Sequence, residues 1–225
     1  MSGEAGFGIV PFGDAAVLIE LGRPAGIAAA RLAQSVASAI DGLRLGGVGL
    51  GEPVPAATTV LVTFDPLVLT ADDVEVLITP VTADAATSPG RDALPAGRLH
   101  EVPVRYGGDH GPDLDGVARE TGLAPNTVIE LHSTATYEVL FLGFAPGFAY
   151  LGDLPAALVL PRLSTPRPGV PAGSVAIAGA MTAVYPHASA GGWRLLGRTD
   201  VSLFDARSTP PSRLRPGDHV RFVPI

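Results

Sequence analysis

The sequence predicts an α+β protein in two parts, a small N-terminal sandwich of helices on a sheet and a C-terminal all-β barrel or sandwich. Three observations carry this. Strand-like and helix-like periodicities alternate over residues 1–81. Residues 82–97, TADAATSPGRDALPAG, lose that periodicity and large apolar side chains, and so read as a linker. Over residues 98–225, short β-branched runs recur between Gly/Pro turns. Gly (28) and Pro (22) are abundant, yet 47% of the 225 residues are hydrophobic. That balance points to a turn-rich β protein and not to disorder.

In order along the chain, Gly13-Asp14 is a turn signal before Ala15–Leu21, AAVLIEL, a predicted strand. Pro24 opens a helical stretch in which Leu32, Val36 and Ile40 repeat at i, i+4 and i+8, and Gly42 with Gly46-Gly47 ends it. Thr58–Phe64, TTVLVTF, has strand composition. Thr70 with Asp73 three residues on reads as a capping box with Asp in place of Glu. Val74, Leu77, Ile78 and Val81 form the second helical stripe. In the second part, Glu101–Tyr106 alternates as a strand, and Asp113–Glu120 and Pro125–His132 read as short helices. Strands are expected at Tyr137–Leu142, Ser174–Ala178, Met181–Val184, Trp193–Leu196, Val201–Phe204 and His219–Val223.

Absences bound the chemistry. There is no Cys, hence no disulfide, thiol nucleophile or Cys-ligated zinc. There is no Lys either: all 15 basic residues are Arg, which removes Schiff-base and Walker-type chemistry. A formal charge of −7 argues against a nucleic-acid surface. None of the five histidines pairs at HxH or HExxH spacing, so no metal site is predicted. Asp109, Asp113 and Asp115 are explained by turns and N-capping. No basic n-region precedes an apolar run, and no stretch reaches the roughly 18 apolar residues of a spanning helix. The expectation is a cytoplasmic protein with no membrane partner.

Gly143–Thr199 holds the candidate site. GFAPGFAYL, PRLSTPR, VPAGSVAIAG and VYPHASAGGWRLLGRT place Gly and Pro, which fix the backbone, beside aromatic faces and arginines. Arg162 and Arg167 each follow a proline, and a stiff five-donor fork suits a carboxylate or phosphate; a pair of surface arginines in weak salt bridges is the bland alternative. Arg198 follows a strand end. Trp193, the one Trp, is either a stacking platform or core. Ser174 lies outside any G-x-S-x-G elbow, so it is no hydrolase nucleophile. The expected arrangement is rigid loops at a barrel mouth gathering guanidinium groups and aromatic faces around a small anion.

The ordered motifs V-P-V-x-Y-G-G-x-x-G-P-D-L, G-F-x-P-G-F-x-Y-L, P-R-x-x-x-P-R-x-x-V-P-x-G-S-V, G-G-W-x-x-x-G-R-T and G-D-x-V-R-F resemble the family of 5-oxoprolinase B subunits. That family is also called allophanate hydrolase subunit 1 or Kip-type histidine-kinase inhibitor. The resemblance implies an N-terminal α/β domain and a C-terminal cyclophilin-like β-barrel. It implies a partner with a related barrel, the 5-oxoprolinase C subunit, which shares a substrate and ATP (with Mg) site. It also implies an A-type third component that completes ring opening of 5-oxo-L-proline to L-glutamate. This chain is then inactive alone. By the family pattern the catalytic residues are Arg162, Arg167 and Arg198. The substrate-binding residues are Pro146, Gly147, Phe148, Tyr150, Ser174, Tyr185, Gly192, Trp193 and Thr199. The chain departs from the pattern at Met181-Thr182-Ala183, where Gln-Thr-Gly is usual, at Ala190 in place of Pro, and at Arg105 in place of Cys. Met181 brings no amide to hydrogen-bond a substrate. The rival readings are an inhibitor docking on a sensor histidine kinase, a carboxyltransferase component of urea carboxylase and allophanate metabolism, and, last, a prolyl isomerase by barrel type alone.

Overall fold

The structure, a computed structural model, describes residues 6–87 and 97–225. The chain divides into two compact units, Met1–Leu94 and Pro95–Ile225. Among the described residues no helix is long and apolar enough to cross a membrane.

The first unit has strands β1 (Gly8–Pro11), β2 (Ala16–Glu20), β3 (Val54–Pro55) and β4 (Thr59–Thr63), with helices α1 (Ile27–Arg44) and α2 (Ala71–Thr87). The sheet order is β1-β2-β4-β3, antiparallel throughout. Alternation decides what is buried: Val17 faces Val62 and Ile19 faces Val60, and all four are in the core. Ala33, Val36 and Ile40 of α1 and Val74 and Ile78 of α2 pack with them. The capping box forms, with the Thr70 amide donating to Asp73 Oδ2 at 2.9 Å and the Asp73 amide to Thr70 Oγ1 at 3.2 Å.

Three expectations are corrected here. Helix α1 begins at Ile27 and not at Pro24, and it passes through Gly42 before ending at Arg44. Helix α2 continues to Thr87 across the first part of the proposed linker; Thr82 is fully buried, so a small polar residue anchors a turn that large apolar residues ordinarily announce. The rest of that linker lies mostly outside the described residues. Strands β1 and β3 are edge strands too short to show a period.

The second unit has β5 (Leu99–Tyr106), α3 (Leu114–Thr121), α4 (Pro125–Thr134), β6 (Tyr137–Leu142), β7 (Ala149–Gly152), β8 (Arg167–Val170), β9 (Ser174–Ala178), β10 (Met181–Val184), β11 (Ser189–Gly191), β12 (Arg194–Arg198) and β13 (His219–Pro224). Seven strands close in the order β10-β7-β6-β13-β5-β12-β9, and β8 pairs with β11 outside that ring. The α+β fold expected from the sequence is what the chain has. Val201–Phe204 is not a strand: the Val201 amide donates to Thr199 Oγ1 at 3.2 Å, and only an isolated bridge joins Phe204 to Ser212.

Inside the barrel sits one polar chain. Thr182 Oγ1 donates to Ala176 O at 3.0 Å and so accepts from His132 Nε2 at 2.9 Å. His132 Nδ1 is then left to accept from the Tyr106 hydroxyl at 2.7 Å. The Tyr137 hydroxyl donates to the His132 carbonyl at 2.8 Å, and Phe222 stacks on the imidazole at 4.7 Å. Complete burial pushes the His132 ring down to about 3, so it is neutral.

Candidate functional site

The wall made by β7, β10, β9 and β12 has faces of different grain. Val175, Ile177, Val184 and Leu196 point into the barrel core. Ala176, Ala178 and Ala183 belong to a separate cluster on the other face, with Phe148, Tyr185, Trp193 and Leu195. Those small alanines leave room for rings. Phe148 meets Tyr185 at 5.3 Å and Trp193 at 5.7 Å, both edge to face. Tyr150 joins them at 5.0 Å from Phe148 and 5.8 Å from Trp193. The cluster therefore lies on the outside of the wall and not at the barrel mouth. A loop-rich sequence does not say on which face its aromatics fall, because that depends on strand register.

A strap covers the rings. It runs through Pro161–Arg167 into β8, which is paired with β11. The Leu163 amide donates to Gly192 O at 2.8 Å, and Arg194 Nε to Pro161 O at 3.0 Å. Arg162 thereby lies with its guanidinium carbon 6.0 Å from the Trp193 ring centroid, a cation–π placement. Among the described residues Arg162 makes no hydrogen bond or ion pair. Arg167, at the strap's far end, reaches the Trp193 backbone and Asp113. Its Nη1 donates to Trp193 O at 3.5 Å and its Nη2 to Asp113 Oδ1 at 2.5 Å.

The electrostatics join these groups. Burial raises the Tyr185 phenol above its ordinary value, while a hydrogen bond from the Trp193 amide and the charges of Arg162 and Arg167 oppose the rise. Burial raises Tyr150 too, again against Arg162. Both phenols are thus protonated at neutral pH and able to donate. Arg162 lies over the Trp193 ring, Arg167 holds the Trp193 carbonyl, and the charges of both act on the Tyr185 phenol, so two guanidinium groups suited to a small anion stand near the ring cluster.

The other expected site residues are placed as follows. Phe148, Tyr185 and Trp193 are only 2%, 2% and 4% exposed, so their rings are packing and not open platforms. Tyr150 is half-buried, and Pro146 is exposed at the turn of the aromatic loop. Gly147 adopts φ 78° where a Cβ would come within 2.7 Å of the Phe204 Cβ, so it is a packing glycine. Gly192 lies beneath the strap. Arg198 is not with Arg162 and Arg167. It leaves β12 at the end opposite Trp193, where its Nε donates to Ala172 O at 3.1 Å. Ser174, its register partner, and Thr199 are buried at that same end. Phe144, at φ 69° and 63% exposed, rises beside the cluster and touches Phe148 edge-on at 5.3 Å.

Sequence reasoning missed Asp113. It precedes α3 yet makes no side-chain cap bond. Its carboxylate instead holds Arg167 and accepts the Leu195 amide at 2.7 Å. A lone acid before a helix carries no signal that separates these roles.

Gly191 is where close approach demands glycine: an added Cβ would stand 2.3 Å from the Tyr185 hydroxyl oxygen. Gly191→Ala is expected to cost about 1–3 kcal/mol through overpacking, measured by denaturant melts. Tyr185→Phe in the same chain should recover part of it, and additive losses would count against the contact.

The family model described as carboxyltransferase domain, subdomain C and D, matches residues 7–214. The chain belongs to that family. Among relatives of this carboxyltransferase-domain chain, the Escherichia coli O157:H7 protein named as the B subunit of 5-oxoprolinase is 57% identical over 130 residues, 58% of this chain and 60% of that protein. The Bacillus subtilis protein of the same name is 51% identical over 128 residues, 57% of this chain and 53% of that one. The chain thus spans little more than half the length of the curated relatives it matches. Of solved structures, TTHA0988 is 38% identical with a TM-score of 0.77, over 94% of this chain and 40% of that one. The Kluyveromyces lactis urea amidolyase, 18% identical with a TM-score of 0.78 over 97% of this chain and 15% of its own, shares the fold.

Proposed function

We propose that the chain is the B subunit of a heteromeric, ATP-dependent 5-oxoprolinase that opens 5-oxo-L-proline to L-glutamate in the cytoplasm. The names of the relatives support this reading. The observation that carries it is that Arg162, over the Trp193 ring, and Arg167, on the Trp193 carbonyl, both act on the ring cluster that holds Tyr150 and Tyr185. A lactam carboxylate takes a guanidinium fork, and the protonated phenol of half-buried Tyr150 adds a donor. The ring amide is resonance-stabilised, so activation of its oxygen by a phosphoryl group precedes attack by water.

The residues present suit one anionic group, not a whole nucleotide with magnesium. The chain has no Lys, its aromatic rings at the site are mostly covered, and among the described residues no group of three His, Asp or Glu gathers. The nucleotide therefore belongs to a site shared with the C subunit, while the A-type component completes hydrolysis. The carboxyltransferase reading rests on fold likeness to urea amidolyase, and the kinase-inhibitor reading on motif resemblance.

Reconstituting the chain with its C-type and A-type partners tests the proposal. Glutamate formation should require ATP, 5-oxo-L-proline and this chain together; a full complement without turnover sinks it. Calorimetric titration should find ATP binding by the complex and little by the chain alone. Tight binding by the lone chain would contradict the shared site.

A further inference from the structure

We infer that helix α3 is a brace that sets the positions of Arg162 and Arg167, with Asp113 and Glu120 as its two positioning residues. The inference rests on the reading of those arginines as the anion site. Asp113 and Glu120 lie at the two ends of α3, seven positions apart in sequence. That separation is about two helical turns, so they share one side at a spacing of about 10 Å.

Each end grips one end of the strap. At one end, Asp113 is first tied to β12: its amide donates to Leu195 O at 3.1 Å and its Oδ2 accepts the Leu195 amide at 2.7 Å. Its Oδ1 is left to take Arg167. At the other end, Glu120 receives Arg194 through both oxygens, Nη2 to Oε2 at 2.9 Å. Arg194 is 8% exposed, and its Nε turns to the Pro161 carbonyl. Between the two grips lies Arg162, which has no polar partner of its own among the described residues. The adjoining face of α3 is fixed, since Leu114, Val117 and Ala118 are buried in the barrel core. The barrel thus holds the helix and the helix holds the strap.

This division of donors explains why Arg167 stays available. Two of its five N–H groups go to Trp193 O and Asp113, and three remain for an anion. Toward the anion site the carboxylates act through arginines, so their loss should loosen placement and not remove the binding charge.

Trp193 is the only Trp, and it lies under the strap, so its fluorescence reports the brace directly. In the full chain, well below its melting temperature, Asp113→Asn and Glu120→Gln should each raise acrylamide quenching of Trp193 about twofold. An asparagine still accepts the Leu195 amide but turns its own N–H groups toward Arg167. In the reconstituted complex the same variants should raise KM for 5-oxo-L-proline about tenfold with kcat within about twofold. A merely stabilising role would shift melting and leave quenching and KM unchanged. Glu120 is half-exposed, so Glu120→Gln keeps the test open should Asp113→Asn not fold. Wild-type quenching in the folded variants overturns the brace. Arg162→Ala and Arg167→Ala serve as the separate control: wild-type kinetics in both overturns the anion site, and quenching then judges the brace on its own.

Discussion

Arg167→Ala is expected to lower kcat/KM of the proposed 5-oxoprolinase complex by about 10²- to 10³-fold, the usual cost of removing a charged donor from a developing or bound anion. The melting temperature should move far less. Arg167 keeps 29% of its side chain in solvent, and Asp113 retains the Leu195 amide when the guanidinium is gone. Arg167→Lys should recover little, because one ammonium cannot span Trp193 O, Asp113 and a ligand at once. Steady-state kinetics beside thermal melts decide the matter. Wild-type turnover in Arg167→Ala would remove the guanidinium fork from the reaction.

Acid should unfold the barrel unit through His132. The folded state holds this ring neutral down to about 3, against about 6.5 in an unfolded chain. Between those values the unfolded chain binds a proton that the folded one excludes, so stability rises with pH across the window. It is complete above about pH 6.5 and is lost progressively as pH falls toward 3, by on the order of 3–5 kcal/mol. Asp200 and Asp205, held low first by hydrogen bonds from Arg105 and Arg207, add their loss only below about pH 4. Urea midpoints measured from pH 8 to pH 4 should therefore fall early. In His132→Gln the midpoint should be lower at neutral pH and flatter between pH 6.5 and 4.5. An equally steep slope in that variant would assign the acid sensitivity elsewhere.

What the sequence disclosed followed side-chain size. Tyr137–Leu142, Ser174–Ala178 and Met181–Val184 are strands with the bounds their β-branched runs predict. Thr70 and Asp73 cap α2 as their spacing requires. Strands β7, β8 and β11 escaped because glycine and proline make them look like loops, although pairing with neighbours supplies what propensity lacks. Within the site, the Pro-Arg pair was legible because proline stiffening is local. The separation of Arg198 from that pair was not, since it depends on the strap folding back over the Gly192–Arg194 end of β12. The outward face of the aromatics was hidden for a related reason: alanine carries little sign of which face it takes, yet the smallness of Ala176 and Ala178 is what admits Phe148 and Trp193.

Strand β13 lies between β5 and β6 and runs parallel to β5, placing His219 beside Leu99. Asp218 reinforces that junction by accepting the Arg98 amide at 2.9 Å. Neighbours on the wall are thus some 120 residues apart in sequence. During synthesis on a ribosome the first hundred-odd residues of this unit wait with two unzipped edges until His219–Pro224 has emerged. High contact order of this kind makes folding slow and leaves nascent chains exposed to aggregation, so the unit depends on its last strand kinetically as well as structurally.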